Sequence, residues 1–241
     1  MRCQRDCEGR ADLTQWARMR NFLSESNLRK AVPLAVILTL MTVGRLVQGG
    51  RPLGVYLPMT FLVLLFMAGA VTAWGQRAGM AGIVTDRRTF ALGATIAAGL
   101  SLMALPLSLF WLDPILKPAL QAATQPSTFI LTYPPTVGGC LALLLWSAGF
   151  QTLFLQAAPM SLFARLTNRR AVAVGLCVAL RIYVTHLQAA GAGMTTGVGL
   201  LVASAAVATS AGCLVFARFG LVPAMLLAAG LDGHVVVAAG G

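Results

Sequence analysis

The chain has 241 residues, of which 58% are hydrophobic and 10% charged, with a mean hydropathy of +0.80 and a net charge of +11. So little charge excludes an ordinary soluble domain, which needs more polar surface to stay solvated. The excess of basic residues does not point to nucleic acid. It is spread over several segments with no recognisable binding module beside it, and membrane topology together with anionic headgroups accounts for it.

The apolar residues fall in long blocks, each able to cross ~30 Å of hydrocarbon, which takes roughly 20 helical residues. Within lipid every backbone N–H and C=O must be satisfied inside the segment, so such blocks read as helices. The ten-residue alternation of a membrane barrel is missing from the sequence. The expected fold is therefore an all-α polytopic transmembrane bundle of about seven spans, with its N-terminus cytoplasmic.

Residues 1–31 form a basic tail. Leu13, Trp16, Arg20 and Leu23 give it a partly apolar face at helical spacing, which suits either a short interfacial helix or an unstructured segment. It lacks the apolar core of a cleavable signal, and its acids Asp6, Glu8, Asp12 and Glu25 argue against a transit peptide. Three spans follow within 32–112, at about 32–49, 55–75 and 89–112. Residues 113–136 carry Pro114, Pro118, Pro126, Pro134 and Pro135 and read as an interfacial or re-entrant segment on the outer side. Four more spans fill 137–241, at about 137–158, 171–188, 193–216 and 221–240.

Charge placement fixes the orientation. Arg2, Arg5, Arg10, Arg18, Arg20, Arg29 and Lys30 precede the first span; Arg77, Arg87 and Arg88 follow the second. Arg165, Arg169 and Arg170 follow the fourth span and Arg218 the sixth, whereas the opposite turns hold only Arg51 and Lys117. The positive-inside rule places these basic turns in the cytoplasm. A bacterial inner membrane is the expected location.

Cys140, Cys177 and Cys213 lie in different spans and read as small apolar residues. Cys3 and Cys7, in the tail, have no further ligands nearby, so no metal and no cofactor is expected. Gly193 and Gly197 form a GxxxG pair, expected to let two helices pack closely.

Polar groups inside the membrane are costly, at roughly 2.5–3.5 kcal/mol per charge on insertion scales, and so mark candidate sites. Gln151, Gln156, Arg181, His186, Asp232 and His234 all fall in the last four spans, while the first three hold Arg45, near a helix end where it can snorkel. Arg181 and Asp232 are expected to pair across helices, His234 to reach the outer surface, and the glutamines to join helices through their amides.

The stretch from Ala148 to Ala157 resembles the first motif of the CPBP family, the CAAX-protease and bacteriocin-processing intramembrane proteases. In that family paired glutamates are followed, after three apolar residues, by an arginine. Ile182-Tyr183-Val184-Thr185-His186-Leu187 resembles the second motif. Arg218-Phe219-Gly220-Leu221-Val222-Pro223, leading to Ala228 and Asp232, resembles the third. The resemblance spans about residues 137–235. It implies a catalytic set at Gln151, Thr152, Gln156, His186, Ala228 and Asp232, but Gln151 and Thr152 stand where the glutamates belong, Gln156 replaces the arginine and Ala228 a histidine. Neither an amide nor a hydroxyl serves as a general base near neutral pH. The resemblance thus implies a pseudoprotease that binds or scaffolds other membrane proteins. The alternatives are an active endopeptidase of the same type and a carrier or subunit of a larger membrane complex.

Overall fold

The computed structural model describes residues 24–75, 78–83, 85–123 and 132–240. Residues 1–23 of the tail, which hold its expected interfacial helix, and Arg77 lie outside the described residues, while residues 25–31 already belong to the first helix. Everything regular among the described residues is helical: α1 Glu25–Gln48, α2 Leu53–Ala70, α3 Arg87–Gln121, α4 Val137–Thr167, α5 Arg170–Gly191, α6 Val198–Phe219, α7 Leu221–Asp232 and α8 His234–Gly240. A π turn, Val71–Gly75, carries α2 on to Gly75. Six of these helices, of 22 to 35 residues, are long and apolar enough to cross a membrane; the seventh apolar stretch, Leu221–Val237, is shorter. The protein is a membrane-embedded helical bundle.

Local chemistry sets the helix ends. Asp86 precedes α3 and accepts from the backbone N–H groups of Arg88 and Thr89, both at 3.1 Å, satisfying two of the four orphan donors of the first turn. Thr136 does the same for α4 through the N–H of Gly139 at 3.1 Å. Asn168, in the left-handed conformation at φ 55°, ends α4, and Gly220, at φ 96°, separates α6 from α7.

Two expectations need correction. The segment from Asp113 does not begin as a separate interfacial piece: α3 runs through Pro106, a π turn at Ser108–Leu112 and Pro114 as far as Gln121, 35 residues in all. A proline removes one N–H, and a widened turn redistributes the carbonyls that lose partners, so the helix continues. Gly193 and Gly197 do not form a helix-packing pair. Both have φ 72°, in the turn between α5 and α6, and α6 starts only at Val198. Gly197 instead approaches the far end of α3, where an added Cβ would lie 3.3 Å from Ala119.

α4 is the central helix. Half of its most apolar stretch is buried, against 11% for α3, and it touches α1, α2, α5, α6 and α7. α1 packs on α2 and α4, α6 on α5 and α7, and α3 lies at the edge against α7 and α6. The main core is built largely from small side chains, including Ala31, Ala35, Ala97, Ala157 and Ala173, around Leu38, Leu64, Leu153, Met160 and Phe216. Small residues let backbones approach closely, which matters where lipid competes equally for apolar surface. A second cluster, with Leu120, Tyr133, Cys140, Ala189 and Val235, closes one end.

The basic turns meet at the opposite end. Arg170 donates to the carbonyls of Ala78 and Gly79 at 3.3 and 2.7 Å, Arg165 lies over the Trp74 ring at 4.8 Å, and Ala81 N–H bonds Ala217 O at 3.3 Å. The structure thus gathers on one side the basic groups around residues 78–88, 165–170 and 218.

Candidate functional site

The polar residues of α4 occupy its least regular part, where two π turns, Ser147–Gln151 and Leu153–Ala157, flank Thr152. The wider turn sets Thr152 five residues from its acceptor, and its hydroxyl donates to the Ser147 carbonyl at 3.0 Å. Trp146, Phe150 and Phe154 stack along the same stretch with ring centroids 5.8 and 5.3 Å apart. Such widened turns recur where a helix must re-aim its side chains.

A chain of donors and acceptors crosses the bundle here. With its amide oxygen turned to α5, Gln151 accepts from Nη1 and Nη2 of Arg181 at 3.1 and 2.6 Å, and its amide nitrogen donates to Ser147 Oγ at 3.1 Å. Asp232 on α7 lies close by, beside Ser147 and within the fields of His234, Arg181 and Arg45. The polarity is consistent: guanidinium to amide oxygen, amide to hydroxyl.

The expected direct pairing of Arg181 with Asp232 is corrected accordingly. No contact of 4.0 Å or less joins their charged atoms. Gln151 takes the Arg181 guanidinium instead, and Arg181 acts on the nearby Asp232 carboxyl through space. Arg45 also turns inward: its guanidinium sits over the Trp146 ring at 5.6 Å and donates to Gln48 at 3.4 Å.

The other positions singled out by the family resemblance are dispersed. Thr152 is fully buried. Gln156 is buried against α6 beside Gly212, with its Oε1 unpartnered. His186 is exposed on α5, and Ala228 is buried packing on α7. The structure therefore brings together Gln151, Arg181 and Asp232 and leaves His186 outside that group. Among the described residues no cluster of three His, Cys, Asp or Glu side chains stands ready for a metal.

A second polar group escaped sequence reasoning. His234 does not reach outward as expected but meets Asp113, Nε2 to Oδ1, at 3.4 Å, with their side chains 16% and 6% exposed. Tyr133 donates to the same Oδ1 at 2.7 Å, and Lys117 lies over the Tyr133 ring at 5.3 Å. His234 Nδ1 is 3.0 Å from the Leu231 carbonyl, and since a carbonyl only accepts, Nδ1 carries a hydrogen. Burial and the bond to Asp113 push the Tyr133 phenol well above its ordinary range.

Asp113 was missed because the prolines beside it place it outside a span in the sequence. Ser147 was missed because serine is common in membrane helices, although its position one turn before Gln151 is a usable signal. Compared with known proteins, the chain matches no family model, no curated protein and no solved structure.

Proposed function

We propose that this protein is a non-catalytic integral membrane protein of the bacterial inner membrane that binds or scaffolds other membrane proteins, a pseudoprotease built on a CPBP-like plan. The observation that carries this reading is the use of Gln151. At the position where the resemblance calls for a water-activating carboxylate, an amide is saturated by Arg181 on one side and Ser147 on the other. Such a group joins helices; it does not titrate and has no lone pair left to draw a proton from water. Thr152, the neighbouring position, spends its hydroxyl on a backbone carbonyl.

The surface that suits a partner is the outer face of α3. Met103, Leu107, Phe110 and Trp111 recur at helical spacing there and are 74, 54, 76 and 72% exposed. The helix packs on the bundle along its α7 and α6 side and meets α8 at Ser108–Leu112, so another transmembrane helix can lie on the exposed face without disturbing the core.

The test places a photoreactive amino acid at Met103 or Phe110, and at Val207 on α6 as a control, in the full chain in its native membrane. The proposal expects a discrete protein crosslink from the α3 positions alone and no hydrolysis of membrane peptides by the purified protein. Lipid adducts at every position, or peptide hydrolysis lost on Asp232→Asn, would overturn it.

A further inference from the structure

The polar centre and the Asp113–His234 pair leave the basic end of the bundle unexplained. Residues 78–83 fold back there across the ends of α5 and α6. Leu221 N–H bonds Gly82 O at 3.0 Å, Ala81 N–H bonds Ala217 O at 3.3 Å, and Arg170 clamps the Ala78 and Gly79 carbonyls at 3.3 and 2.7 Å. These contacts frame an open cleft of 420 Å³ with a mainly polar wall, lined by Arg170, Arg218, Asp86, Thr85, Thr89 and Gly79.

We propose that this cleft binds a phosphate ester, with Arg170 and Arg218 as its principal ligands. Two arginines from different helices line one space of headgroup size, with the Arg218 guanidinium over the Phe219 ring at 5.9 Å, a lining suited to an oxyanion. Arg170 spends Nε and Nη2 on carbonyls, which orients the guanidinium plane and leaves the donors of Nη1 for a ligand. The hydroxyl of Thr85 supplies a further donor. Asp86 alone opposes an anion. Hydrogen bonds from Thr89 and Arg88 hold it below the usual carboxylate range, so it stays charged, but they also turn one oxygen to the start of α3.

Depth supports the same ligand. Trp74, with Arg165 over its ring at 4.8 Å, marks the interfacial layer at this end, the level at which phospholipid phosphates lie. The phosphate can belong to an anionic lipid of the cytoplasmic leaflet or to a soluble ester. This inference does not depend on the scaffold reading.

The experiment reconstitutes the full-length protein in nanodiscs of mixed phosphatidylglycerol and phosphatidylcholine and counts retained lipid by native mass spectrometry. The unaltered protein should retain phosphatidylglycerol selectively. Arg218→Gln, which breaks no backbone clamp, should weaken retention about tenfold, the loss expected for one charge-assisted contact. Asp86→Asn keeps the helix cap and removes the opposing charge, so it should strengthen retention. Arg165→Gln, outside the cleft, should change nothing. Glycerol 3-phosphate and inorganic phosphate separate the sources: a lipid site is not emptied by them, whereas a site for soluble esters is emptied and gains thermal stability from them. Equal retention by the unaltered and Arg218→Gln proteins, with no stabilisation by either soluble phosphate, would overturn the proposal. So would an equal loss in Arg165→Gln, which would mark diffuse charge attraction.

Discussion

Gln151 on α4 accepts two hydrogen bonds from Arg181 on α5, at 3.1 and 2.6 Å. The same amide donates to Ser147 Oγ at 3.1 Å within α4, so one uncharged side chain anchors the guanidinium of the neighbouring helix. In a bundle whose core is mostly alanine and leucine, this bridge fixes which faces of α4 and α5 meet.

Removing the connector while keeping the cation should therefore cost more than removing both. Gln151→Leu leaves the Arg181 guanidinium without its acceptor and should destabilise the fold by about 2–3 kcal/mol. Adding Arg181→Leu should recover part of that loss, because the stranded charge goes with it. Gln151→Glu should unfold no earlier than the unaltered protein, since a carboxylate satisfies Arg181 as well. Unfolding in mixed micelles with graded denaturing detergent measures all three.

Gly212 on α6 gives the Gln156 side chain of α4 the room it occupies. A Cβ at Gly212 would lie 2.5 Å from the Gln156 amide carbon. Gly212→Ala should destabilise by about 1–3 kcal/mol through overpacking. Combining it with Gln156→Ala should restore most of the stability, because it removes both the clash and the unpartnered Oε1. A double-mutant cycle from the same unfolding assay gives the coupling.

Tyr133 predicts an alkaline limit. Burial, and the bond to Asp113, raise its phenol above the ordinary value. The folded state thus holds that proton more tightly than the unfolded chain. The contribution to stability is complete below about pH 10 and is withdrawn as pH rises past that value. Tyr133→Phe should leave the tyrosinate absorbance titration of the folded protein unchanged and should make its stability less sensitive to alkaline pH. A titration step of the folded protein that vanishes in the variant would contradict this.

Much of this architecture is legible in the residues themselves. Uninterrupted apolar blocks and one-sided arginines give the spans and their direction, because hydrocarbon imposes both length and charge asymmetry. Gln151, Arg181 and Asp232 stand out because polar groups are costly in lipid. What the sequence hides is partnership. Whether Arg181 meets Asp232 directly depends on how α4 widens at Ser147, and no local propensity encodes that. Pro114 and Pro118 read as breakers, yet α3 absorbs them through a π turn, so Asp113 travels to His234. Gly193 and Gly197 have the spacing of a packing motif but the backbone of a turn, and spacing alone does not distinguish the two.

The central claim is that the basic turns share one face of the membrane while the Asp113–His234 end lies on the other. Single cysteines at exposed positions test it in intact vesicles of known orientation, using an impermeant maleimide. Arg88→Cys, Arg169→Cys and Arg218→Cys should react only from the cytoplasmic face, and Arg51→Cys and Thr195→Cys only from the opposite one. Labelling of Arg88→Cys and Arg169→Cys from different faces would contradict the account.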